Sequence, residues 1–192
     1  MKSILKKIWN FIWYDDSLIS WIVNVILAVI LVKFVIYPGL GLFLGTTHPL
    51  VAVVSNSMAH NAQPFDEWWE KNKAWYEEQQ ISKEEFISFT IKNGFNRGDI
   101  MILIGAKEPK IGDIIVYRKE NSPDPPIIHG VVKVTDTFVQ TKGDNVPIVQ
   151  GFEQKIPYTS VIGKASIRIP FLGYVKIWFV DLIFNPLFRA IK

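Results

Sequence analysis

The chain has 192 residues and a net charge of +3, with Lys and Arg spread among acids; this excludes the basic, aromatic-interleaved surface that nucleic-acid binding requires, and no nucleic-acid partner is expected. It has no cysteine, so disulfides, thiolate nucleophiles and cysteine zinc sites are ruled out. The three histidines, His48, His60 and His129, show no HExxH spacing, and no metal or other cofactor is expected.

The first 17 residues, MKSILKKIWNFIWYDDS, carry Lys2, Lys6 and Lys7, with Trp9 and Trp13 suited to a headgroup region. Residues Leu18 to Leu44 form an apolar run whose only strongly polar side chains are Asn24 and Lys33. Its first 20 residues, to Tyr37, are enough to cross a hydrocarbon core of about 30 Å as a helix. Pro38 and Gly39 are expected to end it. The run is too long for the core of a signal peptide, and no convincing small-x-small cleavage site follows. A retained transmembrane anchor over 18–44 is therefore expected, with residues 1–17 cytoplasmic or interfacial. The lysines favour a cytoplasmic N-terminus, which places the remainder outside the cytoplasm.

The stretch VVSNSMAHN follows, Val53 to Asn61. A serine hydroxyl attacks only when a base takes its proton and donors stabilise the oxyanion. Ser57 is the candidate nucleophile, with its own N–H and the Ser55 hydroxyl as candidate donors. From Phe65 to about residue 96 the sequence turns polar and helical. Ser82 and Glu85 make a capping-box pattern there, and Gly94 is a candidate stop. Two short helices are expected, folded as an appendage, with Trp68, Trp69 and Trp75 packing the insert onto its neighbour or meeting lipid or substrate.

Beyond Arg97 come short β-branched runs, DIMILI, DIIVYR, IIHGVVKV, FVQTK and SVIGKASIRI, separated by Gly, Pro and Asp turns. Such texture predicts a small antiparallel barrel or sandwich. RGDIMIL and IGDIIVY lie 14 residues apart and read as two similar turn-to-strand entries. His129 in IIHGVVKV is either a packed strand residue or a base. Lys133, two β-periods on and on the same face, is a second candidate, and His60 a third that needs a helical turn to approach Ser57. Asp144 in TKGDN is either a hairpin-turn residue or the acid that orients the imidazole. The tail from Phe171 to Lys192 places Asp181, Asn185 and Arg189 on one helical face, which suits an amphipathic interfacial helix or a tilted second span.

Taken in order, a membrane helix, SNSM, GDIIVYR, IIHGVV, TKGDN and VIGKA resemble the consecutive boxes of type I signal peptidases (peptidase family S26). The likeness is greatest to the archaeal and endoplasmic-reticulum branch, which has histidine where the bacterial enzymes have lysine. It runs from the anchor to about Lys164 and leaves out the insert. The resemblance implies a mainly β catalytic domain over 45–170. It implies Ser57 as nucleophile, Ser55 as oxyanion-hole donor, His129 as general base and Asp144 as the acid of the Gly-Asp-Asn box. The family usually has proline two residues after the methionine, arginine after the histidine, and a second aspartate six residues after the first. Here those positions are His60, Gly130 and Gln150, so Asp144 is the expected partner of His129.

The implied protein is a single-pass serine endopeptidase of the cell membrane that removes signal peptides from secretory preproteins at the outer face. Its partners would be those signal peptides, membrane lipids and the protein-export machinery. The alternative expectation is a signal-peptidase-like binding or scaffold subunit with weak or no activity.

Overall fold

The computed structural model describes residues 2–119, 122 and 124–175. Most of the expected C-terminal helix, including Asp181, Asn185 and Arg189, lies outside the described residues. The chain divides into two units, 1–43 and 44–192.

In the first unit, α1 (Lys2–Tyr14) precedes α2 (Leu18–Leu31). Ser17 caps α2 by accepting the Ser20 N–H. Two polar side chains of the apolar run are paired, as an unpaired polar group is costly in apolar surroundings. Asn24 donates to the Ile12 carbonyl at 2.9 Å, and the Ser20 hydroxyl donates to the Phe11 carbonyl at 2.6 Å. Helix does not stop at Pro38. It continues through a π-helical turn, Val32–Ile36, into α3 (Tyr37–Leu44), so that Leu18–Leu44 is one run of 27 residues with mean hydropathy 2.6 in its most apolar window. Proline removes an N–H and crowds the carbonyl four residues before it, here Phe34. That carbonyl sits inside the wider π turn, which lets the helix continue through the proline.

The second unit is mainly β. Its strands are β1 (Leu50–Ala52), β2 (Ile100–Ile104), β3 (Ile114–Tyr117), β4 (Ile127–Val134), β5 (Phe138–Lys142), β6 (Ile156–Pro157) and β7 (Val161–Ile169). They form one curled antiparallel sheet in the order β1-β2-β7-β3-β4-β5-β6. Register shifts within the β2–β7, β3–β7 and β4–β5 pairs supply the local bends that curl a sheet. β3 is buried at all four positions. Ile114 and Val116 join a core with Met58, Phe95, Met101 and Leu103, while Ile115 and Tyr117 join Val131, Val139 and Ile156 on the other face. A strand covered on both sides reads as a continuous apolar run.

The two similar strand entries share one turn. Gly98 and Gly112 take φ of 92° and 85°, a region open to glycine. The following Asp99 and Asp113 each accept an N–H three residues back, from Asn96 at 2.8 Å and Lys110 at 2.9 Å. Each aspartate also meets a cation from β7: Arg168 lies 2.7 Å from Asp99 and Lys164 3.2 Å from Asp113. The repeat is therefore local turn chemistry, anchored on one shared strand.

The insert holds α4 (Phe65–Glu78) and α5 (Lys83–Ile87). Asp66 and Glu67 in the first turn of α4 suit the positive end of its dipole. Gln80 at φ 64° and the Ile81 N–H bonded to the Tyr76 carbonyl close its C-terminus. Ser82 caps α5 through the Glu85 N–H as its sequence pattern predicts, but α5 ends at Ile87, short of Gly94. The insert is not an appendage. Trp68, Trp69, Tyr76, Ile81 and Phe86 form a buried cluster that includes Val132 of β4. Truncating one such ring costs about 3–5 kcal/mol, a large part of a domain's usual margin of about 5–15 kcal/mol. The insert is thus part of the core.

Candidate active site

Ser57 lies in the loop that leaves β1, and backbone bonds hold that loop from two sides. Val53 donates to the Asp99 carbonyl and accepts from Gly98, both at 2.9 Å. Past the serine, the Met58 carbonyl accepts the Phe95 N–H at 3.0 Å, and Met58 itself is buried. The Ala59 N–H returns to the Asn56 carbonyl at 3.0 Å, closing a tight turn around Ser57. The half-buried serine is thereby fixed at its backbone while its hydroxyl faces a cavity.

His129 stands on β4 opposite Ile115, and only 7% of it is exposed. Its Nε2 lies 2.8 Å from Ser57 Oγ. Its Nδ1 meets Oε1 of Glu153 in a short contact. Glu153 is fully buried at the end of a 3-10 turn, Gly151–Glu153, and its second oxygen accepts the Gln150 N–H at 2.7 Å. A buried carboxylate accepting from Nδ1–H leaves the Nε2 lone pair directed at the serine proton. Ser55 Oγ lies 3.1 Å from Ser57 Oγ on the exposed side.

Gly143 explains why the neighbouring turn is bare. A Cβ there would fall 2.8 Å from the Ser57 carbonyl and 3.0 Å from His129 Nε2. The turn therefore packs directly on the serine–histidine pair.

Asp144, expected to orient His129, does not do so. Its Oδ2 accepts from His60 Nε2 at 2.8 Å and its Oδ1 from the Tyr76 hydroxyl at 2.9 Å. Gly143 lies against the His129 imidazole, whereas the Asp144 side chain reaches Tyr76 of the insert. His60 is accordingly spoken for by Asp144 and stacks on Trp68 at 3.8 Å. Lys133 is also displaced. The register shift between Val131 and Lys133 breaks the alternation counted from His129, and Lys133 is exposed to solvent. Of the expected site residues, Ser55, Ser57 and His129 come together; Asp144 stands in a second network.

Between the two networks lies Lys142, 2% exposed, its ammonium donating to the Gly143 carbonyl and held 4.9 Å and 5.0 Å from the rings of Trp75 and Tyr76. Burial lowers its pKa, and the Asp144 and Glu153 carboxylates oppose that shift. The Tyr76 phenol is pushed well above its ordinary 10.0 by burial, with Asp144 adding to the effect, and burial also lifts Tyr117. In the unfolded chain such phenols ionise near 10, so the stability that they contribute is full below that pH and is lost as pH rises above it. Lys142, shifted down, contributes in the opposite direction and cannot cause this loss. Urea denaturation from about pH 8 to about pH 11 should show stability falling above pH 10, and Tyr76→Phe should flatten the fall. An unchanged slope in Tyr76→Phe would mean that the phenol is not held protonated by the fold.

Beside Ser57 opens a cavity of about 340 Å³ lined by Val51, Val54, Pro126, Ile128 and Phe152. β1 is an edge of the sheet, and its Val51 and Ala52 line the same cavity.

Hydroxyl, imidazole and carboxylate in line beside an apolar cavity are the arrangement of serine hydrolases. Comparison with known proteins agrees with that class. The signal peptidase complex catalytic subunit SEC11 of Lachancea thermotolerans is 34% identical over 107 residues, covering 48% of this chain and 62% of the relative. The subunit of the same name from Scheffersomyces stipitis is 27% identical over 162 residues, covering 79% of this chain and 77% of the relative. The human catalytic subunit SEC11C is 31% identical over 103 residues, 47% of this chain and 53% of the relative. No family model matches the chain. In the first and third of these relatives the chain spans less than two thirds of the relative's length. The chain is thus similar to catalytic subunits of signal peptidase complexes.

Glu153 was not legible in the sequence. It lies three residues beyond Gln150, where the resemblance places an aspartate, in a short turn whose pattern carries no sign of chemistry. An acid close to a vacated acid position was the one available signal.

Proposed function

We propose that the chain is a membrane-anchored serine endopeptidase that removes N-terminal signal peptides from exported preproteins at the outer membrane face. The observation that carries this reading is the line Ser57–His129–Glu153 beside the apolar cavity. Ser57 Oγ attacks the scissile carbonyl while His129 Nε2 takes its proton. The tetrahedral oxyanion is met by the Ser57 N–H and the Ser55 hydroxyl. His129 returns the proton to the leaving amine, and a water then attacks the acyl ester by the same route, releasing Ser57. Glu153 holds the imidazole in the required tautomer and stabilises the imidazolium.

The relatives' names support signal peptides as the substrate. The resemblance further implies an extended segment with small residues at the first and third positions before the cut. The 27-residue apolar helix supports a membrane location, and Lys2, Lys6 and Lys7 support a cytoplasmic N-terminus. Ser57 follows Leu44 by 13 residues, so the anchor keeps the hydroxyl within reach of a precursor held in the same membrane. Lipids and the export machinery are the remaining proposed partners.

The test is incubation of the detergent-solubilised chain with a precursor bearing such a site, with the product identified by mass. One cut after the small residue is expected. A precursor that binds and stays intact would favour the scaffold reading instead.

A further inference from the structure

We propose that α4 of the insert is a positioning element for the nucleophile, acting through a second histidine–aspartate pair, His60–Asp144, pinned by Tyr76. The proposal rests on the reading of Ser57 as the nucleophile. The route is short and continuous. The turn 143–145 touches the nucleophile loop at three successive residues: the Asn145 Nδ2 amide donates to the Asn56 carbonyl at 3.1 Å, the Asn145 N–H to the Ser57 carbonyl at 2.8 Å, and the Asp144 N–H to Met58 Sδ at 3.4 Å. Gly143 of the same turn packs on the Ser57 carbonyl and on His129 Nε2. A shift of this turn therefore moves both reacting groups.

What holds the turn is the Asp144 carboxylate, 5% exposed. One oxygen is bound by the Tyr76 hydroxyl of α4, the other by His60 of the nucleophile loop. His60 is fixed in plane by Trp68 of α4, with rings 5° from parallel. The insert thus grips both partners of the pair, the aspartate through Tyr76 and the imidazole through Trp68. Nucleophilic attack is sensitive to displacement on the scale of about 1 Å, which costs on the order of a hundredfold. A brace with contacts of this length acts on that scale. His60 stands where the resembled family usually has proline, so this stacking pair uses a residue outside the family's usual pattern.

Three variants separate positioning from mere support of the fold. Tyr76→Phe keeps the ring and loses the hydroxyl. His60→Gln keeps a donor at the Nε2 position, whereas His60→Leu removes it. The expected result, with kcat expressed per serine titrated by a covalent serine probe, is a fall of about tenfold to a hundredfold in Tyr76→Phe and His60→Leu. KM for a peptide substrate should stay within about twofold, and His60→Gln should recover most of the rate. A structural role alone lowers the titrated fraction and the melting midpoint but leaves kcat per titrated serine unchanged; that result overturns the proposal, as does equal loss in His60→Gln and His60→Leu. Should Tyr76→Phe fail to fold, the two His60 variants still decide. Ser57→Ala is the separate control: turnover surviving in that variant removes the reading of the site and leaves the brace without an object.

Discussion

Ser57→Ala should reduce cleavage to background and abolish labelling by a serine-directed probe. In the proposed mechanism the Ser57 hydroxyl is the attacking group of the line Ser57–His129–Glu153, and alanine leaves His129 with no proton to accept from the enzyme. Loss of a serine nucleophile costs on the order of 10⁶ in turnover in a well-characterised serine protease. The residual rate comes from binding and oxyanion contacts alone. Ser55→Ala is the useful contrast. Ser55 Oγ lies 3.1 Å from Ser57 Oγ, and as one donor to the proposed oxyanion its loss should cost about a hundredfold to a thousandfold. Retained cleavage in Ser57→Ala, measured by single-turnover product mass, would remove the serine mechanism. Loss confined to Ser55→Ala would exchange the two roles.

Glu153→Gln should be the second-largest effect, on the order of 10⁴ in kcat with KM little changed, the cost of replacing such a carboxylate by its amide. The fully buried Glu153 is the charged partner of His129 Nδ1. Glutamine keeps an oxygen at that place but removes the charge that supports the imidazolium, and its NH₂ group can turn toward Nδ1 and favour the wrong tautomer. Asp144→Asn gives the comparison, because the Asp144 carboxylate is bonded by His60 and Tyr76 while Glu153 is bonded by His129. Losing the Asp144 carboxylate should lower kcat by about tenfold to a hundredfold and should also lower stability, since leaving buried hydrogen-bonding groups without their partner costs about 1–3 kcal/mol. Steady-state kinetics on the two variants decides between the acids. Normal turnover in Glu153→Gln together with a 10⁴-fold loss in Asp144→Asn would return the orienting role to Asp144.

The sequence by itself determined the parts whose physics is local. Alternating and continuous apolar runs placed β2 to β5 and β7 to within a residue or two, because side-chain burial on a pleated strand follows a short period. The predominantly apolar run 18–44 determined one helix of 27 residues, long enough to cross a membrane. Ser82 determined where α5 begins, since a cap is a bond between residues three apart. The order of the boxes singled out Ser57 and His129, 72 residues apart in the chain.

What only the tertiary structure decided depends on which distant groups meet. Asp144 and Glu153 are both acids in turns after β5, and no local pattern says which reaches His129. The answer lies in the bonds that take Asp144 to His60 and Tyr76, and in the 3-10 turn that carries Glu153 to the His129 imidazole. The insert reads as a polar appendage because its charged residues dominate the composition. Its aromatic residues are buried against Val132, His60 and Lys142, contacts that no helical period reveals. Lys133 was placed on the wrong face because counting alternate residues assumes an unbroken register, and one bulge in β4 ends that assumption. A carboxylate finds its histidine by chain path and packing, and those are properties of the whole sheet.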